Sequence, residues 1–470
     1  MKKISIEETI NHKNKKVTVA GWVHSRRDHG KIIFIDLRDR TGIIQVLFNH
    51  ENKEVYKKAD NLRGEWVVKI TGNINQRPEN MYNEEITTGQ IELEAEKIEI
   101  LSKSETPPIA VDNNGYEIGE ENRLKYRYLD LRRERMAKNL KKRHQSLKFI
   151  RDFLDKKDFI EVETPILTKS TPEGARDFIV PSRLKKGEFF ALPQAPQQFK
   201  QLLMVSGIEK YFQIARVFRD EGSRADRQPE FTQLDLEESF SSPEKIMNLM
   251  EKLCKELTSS LFPEKKITKD PFPRINYKEA MDKYNTDAPD LRKEKDNPDE
   301  LAFAFIVNFP MFERKPGKGN KWGAMHNPFT KPKTNDIEKI KKEPENIMAH
   351  QYDLVLNGYE IGGGSTRIID LKLLTAVFEV LGHSKKETKE KFANYYEAFK
   401  YGVPPHGGIA LGLDRLLAKL LNEENIREVI AFPKTGDQQD LLMNAPSEIN
   451  QEQLDELGLE LKEKEEEKDN

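Results

Sequence analysis

The segment from Tyr211 to Glu238 constrains the fold of this 470-residue chain more than any other. Two strand-like runs, residues 211–219 and 231–238, enclose a turn-rich loop that carries Arg224, Arg227 and Gln228. The second run alternates, and one of its faces carries Phe231, Gln233, Asp235 and Glu237. Guanidinium groups match the geometry of phosphates, so this strand pair is predicted to hold an anionic ligand. An exposed sheet face would give the same polar row, and the segment alone leaves that alternative open.

A second pattern lies near the start of the chain, where residues 15–100 alternate as short strands. Five runs are strand-like, with one helix-compatible stretch, residues 52–62, after the third: residues 17–24, 31–39, 42–48, 65–72 and 90–101. This order predicts an OB-type barrel, whose open face commonly binds single-stranded nucleic acid. Arg26, Arg27, Phe34 and Gln45 supply the groups that such a face uses. A core position for Phe34, with solvated arginines, explains this segment equally well.

The remainder of the chain alternates strands and helices around glycine-rich turns, which predicts an α+β fold. A polar stretch after Thr106-Pro-Pro108 is predicted to be a linker, and apolar residues between Leu140 and Leu154 recur at helical spacing. The predicted domains are residues 1–104 (barrel), 105–134 (linker), 135–447 (second domain) and 448–470 (charged tail), and residues 460–470 of the tail are expected to be a solvated or frayed helix.

Bulk properties exclude several classes of protein. The formal net charge is −2, so any nucleic-acid surface must be local. Cys254 is the only cysteine, which excludes a disulfide framework and a cysteine-rich zinc site. No apolar run has membrane-spanning length and the first residues lack a signal-peptide core, so a cytoplasmic protein without membrane contact is expected. The chain also lacks the P-loop pattern GxxxxGK[ST].

Three segments resemble the signature motifs of class II aminoacyl-tRNA synthetases, in the family's order. Residues 159–165 (FIEVETP) are similar to motif 1, Phe218-Arg-Asp-Glu221 with residues 227–233 to motif 2, and residues 408–415 (GIALGLDR) to motif 3. The resemblance implies an antiparallel sheet flanked by helices, an ATP site built by motifs 2 and 3, and a homodimer through motif 1.

Longer segments resemble the bacterial-type aspartyl-tRNA synthetases of that family: residues 171–178, 191–200, 358–365 and 431–434. The resemblance implies ATP-dependent activation of L-aspartate and its transfer to tRNA-Asp. Fewer than about twenty residues separate Arg292 from Phe309, where bacterial members usually carry a large domain, so that domain is expected to be missing. Ala195 stands where members commonly have serine, and His326-Asn327 where they commonly have two histidines.

Charge considerations support aspartate independently of the resemblance, because its site must pair two carboxylates and one ammonium. Lys200 and Arg367 are the candidates for the side-chain carboxylate, and Glu173 and Asp235 for the ammonium. A site of this kind rejects substrates that leave a buried cation unpaired. By resemblance, Gln197, His326 and Arg219 also bind the amino acid.

The resemblance assigns Arg219 to the α-phosphate of ATP and Arg415 to the γ-phosphate end, and these two are the expected catalytic residues. The expected ATP-binding residues are Arg219, Asp220, Glu221, Gln228, Phe231 (stacking on adenine), Glu360, Gly412, Leu413, Asp414 and Arg415. Glu360 and Asp353 are expected to hold Mg²⁺, although simple strand parity puts them on opposite faces unless Gly358 marks a bulge. The inferred reaction is in-line attack of the aspartate α-carboxylate on the α-phosphorus, which needs positioning and charge stabilisation but no general base.

By resemblance, the anticodon contacts on the barrel are Arg27, His29, Phe34, Gln45, Asn80 and Glu92. His29 stands where enzymes that charge both tRNA-Asp and tRNA-Asn often have histidine, whereas Asn80 matches neither usual pattern. Strict and relaxed specificity both stay open, and relaxed specificity is the hypothesis carried forward. The competing interpretations are an aspartate-adenylating ligase without a tRNA substrate, a non-catalytic RNA-binding protein, and a lysine- or asparagine-specific synthetase.

Overall fold

The computed structural model describes residues 2–170, 175–222, 224–315 and 321–462 of the chain. It divides the chain into two compact units, Met1–Ala137 and Lys138–Asn470. Each unit has its own hydrophobic core. The exact domain limits given above remain a prediction.

The first unit contains the predicted barrel. Its elements are β1 (Lys16–Asp28), β2 (Ile32–Asp39), β3 (Gly42–Asn49), α1 (Lys53–Asp60), β4 (Val67–Gln76) and β5 (Ile91–Ser102). The strands close in the order β1-β2-β3-β5-β4. Alternate residues such as Val19, Ile35 and Val46 are fully buried inside the barrel, while their neighbours face outward. The five strands and the helix after the third confirm the OB-fold prediction.

The stretch predicted as a linker carries two short helices, α2 (Glu120–Lys125) and α3 (Arg127–Asp130). They are fixed by Asp130, which is fully buried and accepts hydrogen bonds from Arg123, Arg127 and Arg133 at 2.6–3.1 Å. Burial alone would raise the pKa of Asp130, but the arginines outweigh it and hold that pKa below its usual value. The polar composition of residues 105–134 suggested a linker, but residues 120–133 of this segment are ordered by helices and ion pairs.

The second unit is built on an eight-stranded sheet with the order β12-β14-β17-β18-β19-β10-β9-β6. Its central pairs are antiparallel, as predicted, but the outer pairs β6–β9 and β12–β14 are parallel. The strands of this sheet are β6 (Ile160–Glu161), β9 (Lys210–Phe218), β10 (Glu230–Ser239), β12 (Arg274–Asn276), β14 (Phe303–Val307), β17 (Gln351–Leu356), β18 (Tyr359–Thr366) and β19 (His406–Gly412). The other strands form two-stranded sheets: β7 (Ile179–Pro181) with β8 (Phe189–Ala191), β11 (Lys266–Ile267) with β13 (Glu300–Leu301), and β15 (Phe312–Arg314) with β16 (Trp322–Ala324).

The remaining helices are α4 (Glu134–Asp155), α5 (Gln197–Val205), α6 (Pro243–Leu261), α7 (Tyr277–Tyr284), α8 (Ile337–Lys342), α9 (Leu371–Val380), α10 (Lys385–Lys391), α11 (Ala393–Ala398), α12 (Leu413–Leu420) and α13 (Gln451–Leu457). Helices α4, α5, α6, α7 and α12 pack against the eight-stranded sheet. Short 3₁₀ helices occur at Glu7–His12, Glu79–Met81, Pro344–Asn346, Phe399–Tyr401 and Ile426–Glu428. Over the residues described, no helix is both long enough and apolar enough to cross a membrane. In the tail, residues 460–462 are exposed and not helical, and residues 463–470 lie outside the described part.

Strand β10 separates the core from the polar face of the sheet. Leu234 and Leu236 are fully buried and pack with residues of α4, α6 and α12. The alternate residues Gln233, Asp235 and Glu237 point to the opposite face and are also buried. The polar row is therefore not an exposed sheet face, and that alternative is wrong.

The hairpin of β17 and β18 corrects the strand-parity expectation for Asp353 and Glu360. Asn357 and Gly358 form a two-residue turn with positive φ angles of 50° and 86°, which suits asparagine and glycine. This turn pairs Leu356 with Tyr359, and the next pair is Val355 with Glu360. Paired residues point to the same face, so Val355, Asp353 and the other odd-numbered residues of β17 share a face with Glu360. A bulge does occur, but at Ile361 instead of Gly358: Val355 pairs with Glu360 and Leu354 with Gly362. Asp353 and Glu360 therefore lie on the same face.

Candidate functional site

A cleft of about 410 Å³ opens on the polar face of the second unit's sheet. Most of the residues predicted for the ligand site line it: Gln197, Lys200, Arg219, Glu221, Gln228, Phe231, His326, Glu360, Arg367, Gly412, Asp414 and Arg415. Asp220, Asp235, Asp353 and Leu413 do not line it directly, and Glu173 lies outside the described residues. Strands β10, β18 and β19 supply the floor, and the arginine-bearing loop between β9 and β10 supplies one wall.

One end of the cleft contains two buried cations and two buried carboxylates. Lys200 Nζ donates to Asp235 Oδ1 at 2.5 Å and lies 3.6 Å from Glu237 Oε2. Arg367 donates from Nε and Nη2 to the two oxygens of Glu237, at 2.9 and 3.0 Å. All four side chains are at most 4% exposed. The arrangement balances charge inside the protein and holds both cations at the cleft wall.

Glu237 is the member of this group that the sequence interpretation did not assign. Burial alone would raise its pKa, but Arg367 and Lys200 more than offset burial, so the pKa of Glu237 lies below its usual value. The carboxylate is therefore ionised and can orient the guanidinium of Arg367. The alternation in β10 already placed it on the same face as Asp235, and that was the signal that could have identified it.

Several buried polar atoms at this end have no hydrogen-bond partner among the described residues: Gln197 Nε2, Gln233 Oε1, Asp235 Oδ2 and His326 Nε2. His326 Nε2 lies 3.5 Å from Asp353 Oδ2 without hydrogen-bond geometry. Buried polar groups are normally satisfied, because leaving one unpaired costs about 1–3 kcal/mol. This end of the cleft therefore offers both hydrogen-bond donors and hydrogen-bond acceptors to a polar ligand.

The other end of the cleft carries the arginines predicted for phosphate. The guanidinium of Arg219 lies over the ring of Phe231, 5.2 Å from its centroid, and Arg219 Nε donates to the Gln194 carbonyl. Arg415 donates to the carbonyls of Asp226 and Glu360, at 3.1 and 2.8 Å. The two guanidinium groups are thereby anchored on backbone atoms beside the cleft.

Four of the predicted nucleotide residues have other roles in the structure. The amide of Gln228 exchanges hydrogen bonds with the backbone of Lys434, and Leu413 is fully buried in the core. Asp414 accepts from Arg143 through one oxygen and from the Thr232 N–H through the other. Asp220 faces Arg176 at 3.5 Å. Nucleotide contacts for these four stay a prediction.

The carboxylates of Asp353 and Glu360 converge above Gly363. A Cβ built on Gly363 would lie 2.9 Å from Asp353 Oδ1, 3.3 Å from Gln351 Nε2 and 3.6 Å from Glu360 Oε1. Burial, opposed by His326 and reinforced by Glu360, raises the pKa of Asp353 to about 7. Within the described ranges no group of three or more potential metal ligands occurs. The pair fits a hard divalent cation only if phosphate or water oxygens complete its coordination.

The barrel presents a separate polar face, on the outer side of β1, β2, β3 and β5. Arg27 donates to both oxygens of Asp36 and to Gln45, and Gln45 Nε2 donates to Glu92 at 2.7 Å. Phe34 is half-buried and meets the edge of His29 with ring centroids 5.6 Å apart. Phe34 therefore lies outside the barrel core. Asn80 is exposed in the Glu79–Met81 turn and makes no hydrogen bond to these residues in the described part of the chain.

Two family models match the chain. The model described as tRNA synthetases class II (D, K and N) matches residues 119–436, and that of the OB-fold nucleic acid binding domain matches residues 17–101. The cleft lies within the first match and the polar barrel face within the second.

Curated relatives match almost the whole chain. It is 42% identical to an aspartate–tRNA(Asp/Asn) ligase of Natranaerobius thermophilus, over 95% of this chain and 97% of that protein. It is 39% identical to an aspartate–tRNA ligase of Staphylococcus haemolyticus, over 96% and 97%. The first alignment extends over 573 positions, more than the 470 residues of this chain, so a long stretch of the relative has no counterpart here.

Solved structures share the architecture. An asparaginyl-tRNA synthetase of Pyrococcus horikoshii, complexed with asparaginyl-adenylate, superposes with a TM-score of 0.74 at 26% identity, over 93% of this chain and 98% of that chain. A putative aspartyl-tRNA synthetase of Leishmania major gives a TM-score of 0.73 at 22% identity, over 92% and 94%, and supports the fold alone.

Proposed function

This chain belongs to the aspartate–tRNA ligases of the class II aminoacyl-tRNA synthetases, and from that premise we propose how its residues activate aspartate and charge tRNA. The chain is an aminoacyl-tRNA synthetase that uses ATP. The residue roles below rest on the geometry of the cleft.

The observation that carries the assignment is the buried group of Lys200, Asp235, Glu237 and Arg367. In the proposal, the side-chain carboxylate of aspartate binds between Lys200 Nζ and the Arg367 guanidinium, and the free oxygen of Asp235 accepts from the substrate ammonium. Lys200 and Arg367 are already balanced by Asp235 and Glu237, so the substrate carboxylate is held by charge-assisted hydrogen bonds from the two cations. Asparagine would place a neutral amide there, with its NH2 group facing cationic donors, and lysine would add a third cation, so both are rejected.

The ATP phosphates extend toward Arg219 and Arg415, and Phe231 supports the adenine. The α-carboxylate of aspartate attacks the α-phosphorus, the bond to the bridging oxygen breaks, and pyrophosphate leaves with its charge near Arg415. Asp353 and Glu360 would hold Mg²⁺, which supplies positive charge to the phosphates when bound. His326, Gln197 and the backbone-anchored Arg219 orient the two substrates.

The second half-reaction transfers aspartate to tRNA. A ribose hydroxyl at the 3′ end attacks the carbonyl of the mixed anhydride, and the bond to AMP breaks. The barrel recognises the anticodon, with Phe34 stacking on a base while Gln45 and Glu92 contact base edges. Gln45 and Glu92 are already joined by a hydrogen bond, so these two side chains need little ordering on binding.

Specificity for one tRNA or two is a separate question. Relatives named aspartate–tRNA(Asp/Asn) ligase and relatives named aspartate–tRNA ligase both match at 39–42% identity, so sequence identity does not distinguish the two specificities. We favour relaxed specificity, because His29 packs on Phe34 at the proposed anticodon contact. Charging of purified tRNA-Asp and tRNA-Asn transcripts tests it, and a failure to charge tRNA-Asn refutes it.

A homodimer through the motif 1 region is also part of the proposal. Several large apolar side chains between residues 160 and 190 are exposed: Ile160, Ile166, Leu167, Ile179, Leu184, Phe189 and Phe190. Apolar surface of this extent favours association. Light scattering coupled to size exclusion should give twice the chain mass, and a monomer at micromolar concentration contradicts the dimer.

The test of the central assignment is ATP–pyrophosphate exchange with aspartate, asparagine and lysine, measured without tRNA. Exchange should occur with aspartate alone. Lys200→Gln should abolish it, whereas Lys210→Gln, a half-exposed lysine on β9, should not. Exchange with asparagine at a comparable rate, or normal exchange by the Lys200 variant, would contradict the pocket assignment.

A further inference from the structure

A second surface of the barrel is positively charged and belongs to none of the contacts described above. It is a groove of about 640 Å³ formed by α1, the α1–β4 loop and the end of β5. Its lining residues are Glu54, Lys57, Lys58, Asn61, Arg63, Trp66, Ile100 and Lys103. We name it the α1 groove.

The groove follows directly from the sequence of α1. Glu54, Lys57, Lys58 and Asn61 are spaced three and four residues apart, so they form one stripe along the helix. The opposite stripe, with Val55 and Ala59, is buried in the barrel core. The charged stripe is thereby fixed outward, beside the loop that carries Arg63.

The charge of the α1 groove is largely uncompensated. Four of its lining residues are cations and one, Glu54, is a carboxylate, paired with Lys58 at 2.8 Å. Arg63 donates only to the carbonyls of Asp60 and Leu62, and Lys103 Nζ lies over the Trp66 ring, 5.3 Å from its centroid. Across the described residues, Lys57, Arg63 and Lys103 have no acidic partner. Such a groove attracts an extended polyanion.

The proposed anticodon-binding face carries little positive charge of its own to bind the phosphates of an RNA. Arg27 is paired with Asp36 and Arg26 with Asp28 and Asp60, whereas Glu92 and Glu94 add two carboxylates that accept from side-chain amides, so these groups together are negative. Base contacts specify a sequence, but most affinity for nucleic acid comes from cations near phosphates. A negative face that reads bases therefore requires a positive surface elsewhere on the barrel.

The α1 groove adjoins that face. Tyr56 of α1 donates its hydroxyl to the carbonyl of Gly30, in the turn between β1 and β2. Arg26 of β1 donates to Ala59 and Asp60 at the end of the helix. The strands that carry Arg27 and Phe34 are thus tied to the helix that carries the lysines.

We propose that the α1 groove binds the phosphodiester backbone of the tRNA beside the anticodon and supplies affinity without sequence choice. This inference rests on the proposed function of the barrel face. It predicts that neutralising the groove weakens tRNA binding equally for different anticodons and lowers its dependence on salt.

The experiment uses the full chain with Lys57→Gln, Arg63→Gln and Lys103→Gln combined. The control is Lys16→Gln, a barrel lysine that is ion-paired with Glu96. Filter binding is measured at several salt concentrations with a tRNA-Asp transcript and with the same transcript carrying a changed anticodon. The triple variant should bind both about tenfold or more weakly, with a salt slope lower by roughly 2 units. The control should bind as the unaltered chain does.

Two results would overturn the inference: an unchanged salt slope in the triple variant, or a loss confined to the transcript with the native anticodon. Aspartate-dependent pyrophosphate exchange without tRNA separates this inference from the proposed catalytic function. Exchange should be the same in the triple variant, the control and the unaltered chain. If exchange with aspartate is absent from all three, the catalytic assignment fails, while the binding data still decide the role of the groove.

Discussion

The replacement Glu237→Gln tests the charge balance of the aspartate end. Both oxygens of Glu237 accept from Arg367, at 2.9 and 3.0 Å, and Lys200 Nζ is 3.6 Å away. Glutamine keeps the size and one acceptor but removes the negative charge, so the buried group is left with one unbalanced cation. Removing a partner from a buried ion pair costs about 3–5 kcal/mol, and the retained hydrogen bond returns about 1 kcal/mol. The free energy of unfolding of the second unit should fall by about 2–4 kcal/mol.

Guanidinium unfolding followed by circular dichroism measures this difference. The matched control is Glu238→Gln on the other face of β10, whose ionic partner Lys245 is 55% exposed. Lys245 stays solvated when Glu238 loses its charge, so no cation is left buried without a partner and the control should lose less stability than the Glu237 variant. At the same ratio of aspartate concentration to dissociation constant, added aspartate should stabilise each variant and the unaltered chain equally, so the difference between the two variants should persist.

Equal losses for the two variants would refute this reasoning. So would an unchanged Michaelis constant for aspartate in pyrophosphate exchange, since Arg367 would keep only one of its two hydrogen bonds to residue 237 and should no longer hold its position.

Three further predictions concern other parts of the molecule. Phe34→Ala should lower kcat/KM for tRNA by about 5- to 150-fold, the range of 1–3 kcal/mol for one stacked base, while pyrophosphate exchange without tRNA stays unchanged; a change in exchange would contradict a role restricted to tRNA. Gly363→Ala should raise the KM for ATP about tenfold or more, because the new Cβ would lie only 2.9 Å from Asp353 Oδ1 and would displace that carboxylate. Normal ATP kinetics would disprove the proposed metal pair. For Asp130 the folded-state pKa lies below the unfolded value of about 3.9, so its stabilising contribution is present above that value and disappears as the pH falls through the lower folded pKa. Asp130→Asn should therefore reduce the loss of stability of the first unit between about pH 5 and pH 2 in acid titrations by circular dichroism, and an identical acid titration would show that the pKa is not lowered.

Local pattern was sufficient to predict the barrel. Its strands alternate with period two, and the helix after the third strand is capped by Asn52, which accepts from the Val55 N–H. Each of these signals depends on residues within one element or on the order of elements. They needed no knowledge of which strands lie side by side.

The sequence also determined which residue types form the cleft. Lys200, Arg219, Asp235, Arg367 and Arg415 were chosen by charge and by motif resemblance, and the structure gathers four of them along one cleft with Asp235 behind Lys200. The charges that a binding site needs follow from the substrate, and the residue types that carry them can be recognised singly in the sequence. The partner of each charged side chain cannot be predicted in this way, because it depends on the register between strands that are distant in the chain.

Tertiary structure alone decided how these residues act together. Glu237 meets Arg367 across 130 residues because β10, β19 and β18 are neighbours in the sheet. Asp353 and Glu360 share a face because a two-residue turn reverses the strand, which counting along the chain cannot reveal. The sequence by itself determined the composition of each face, since alternation is a property of a single strand. Pairing, charge balance and burial were decided by the fold, because each depends on which side chains approach from other strands.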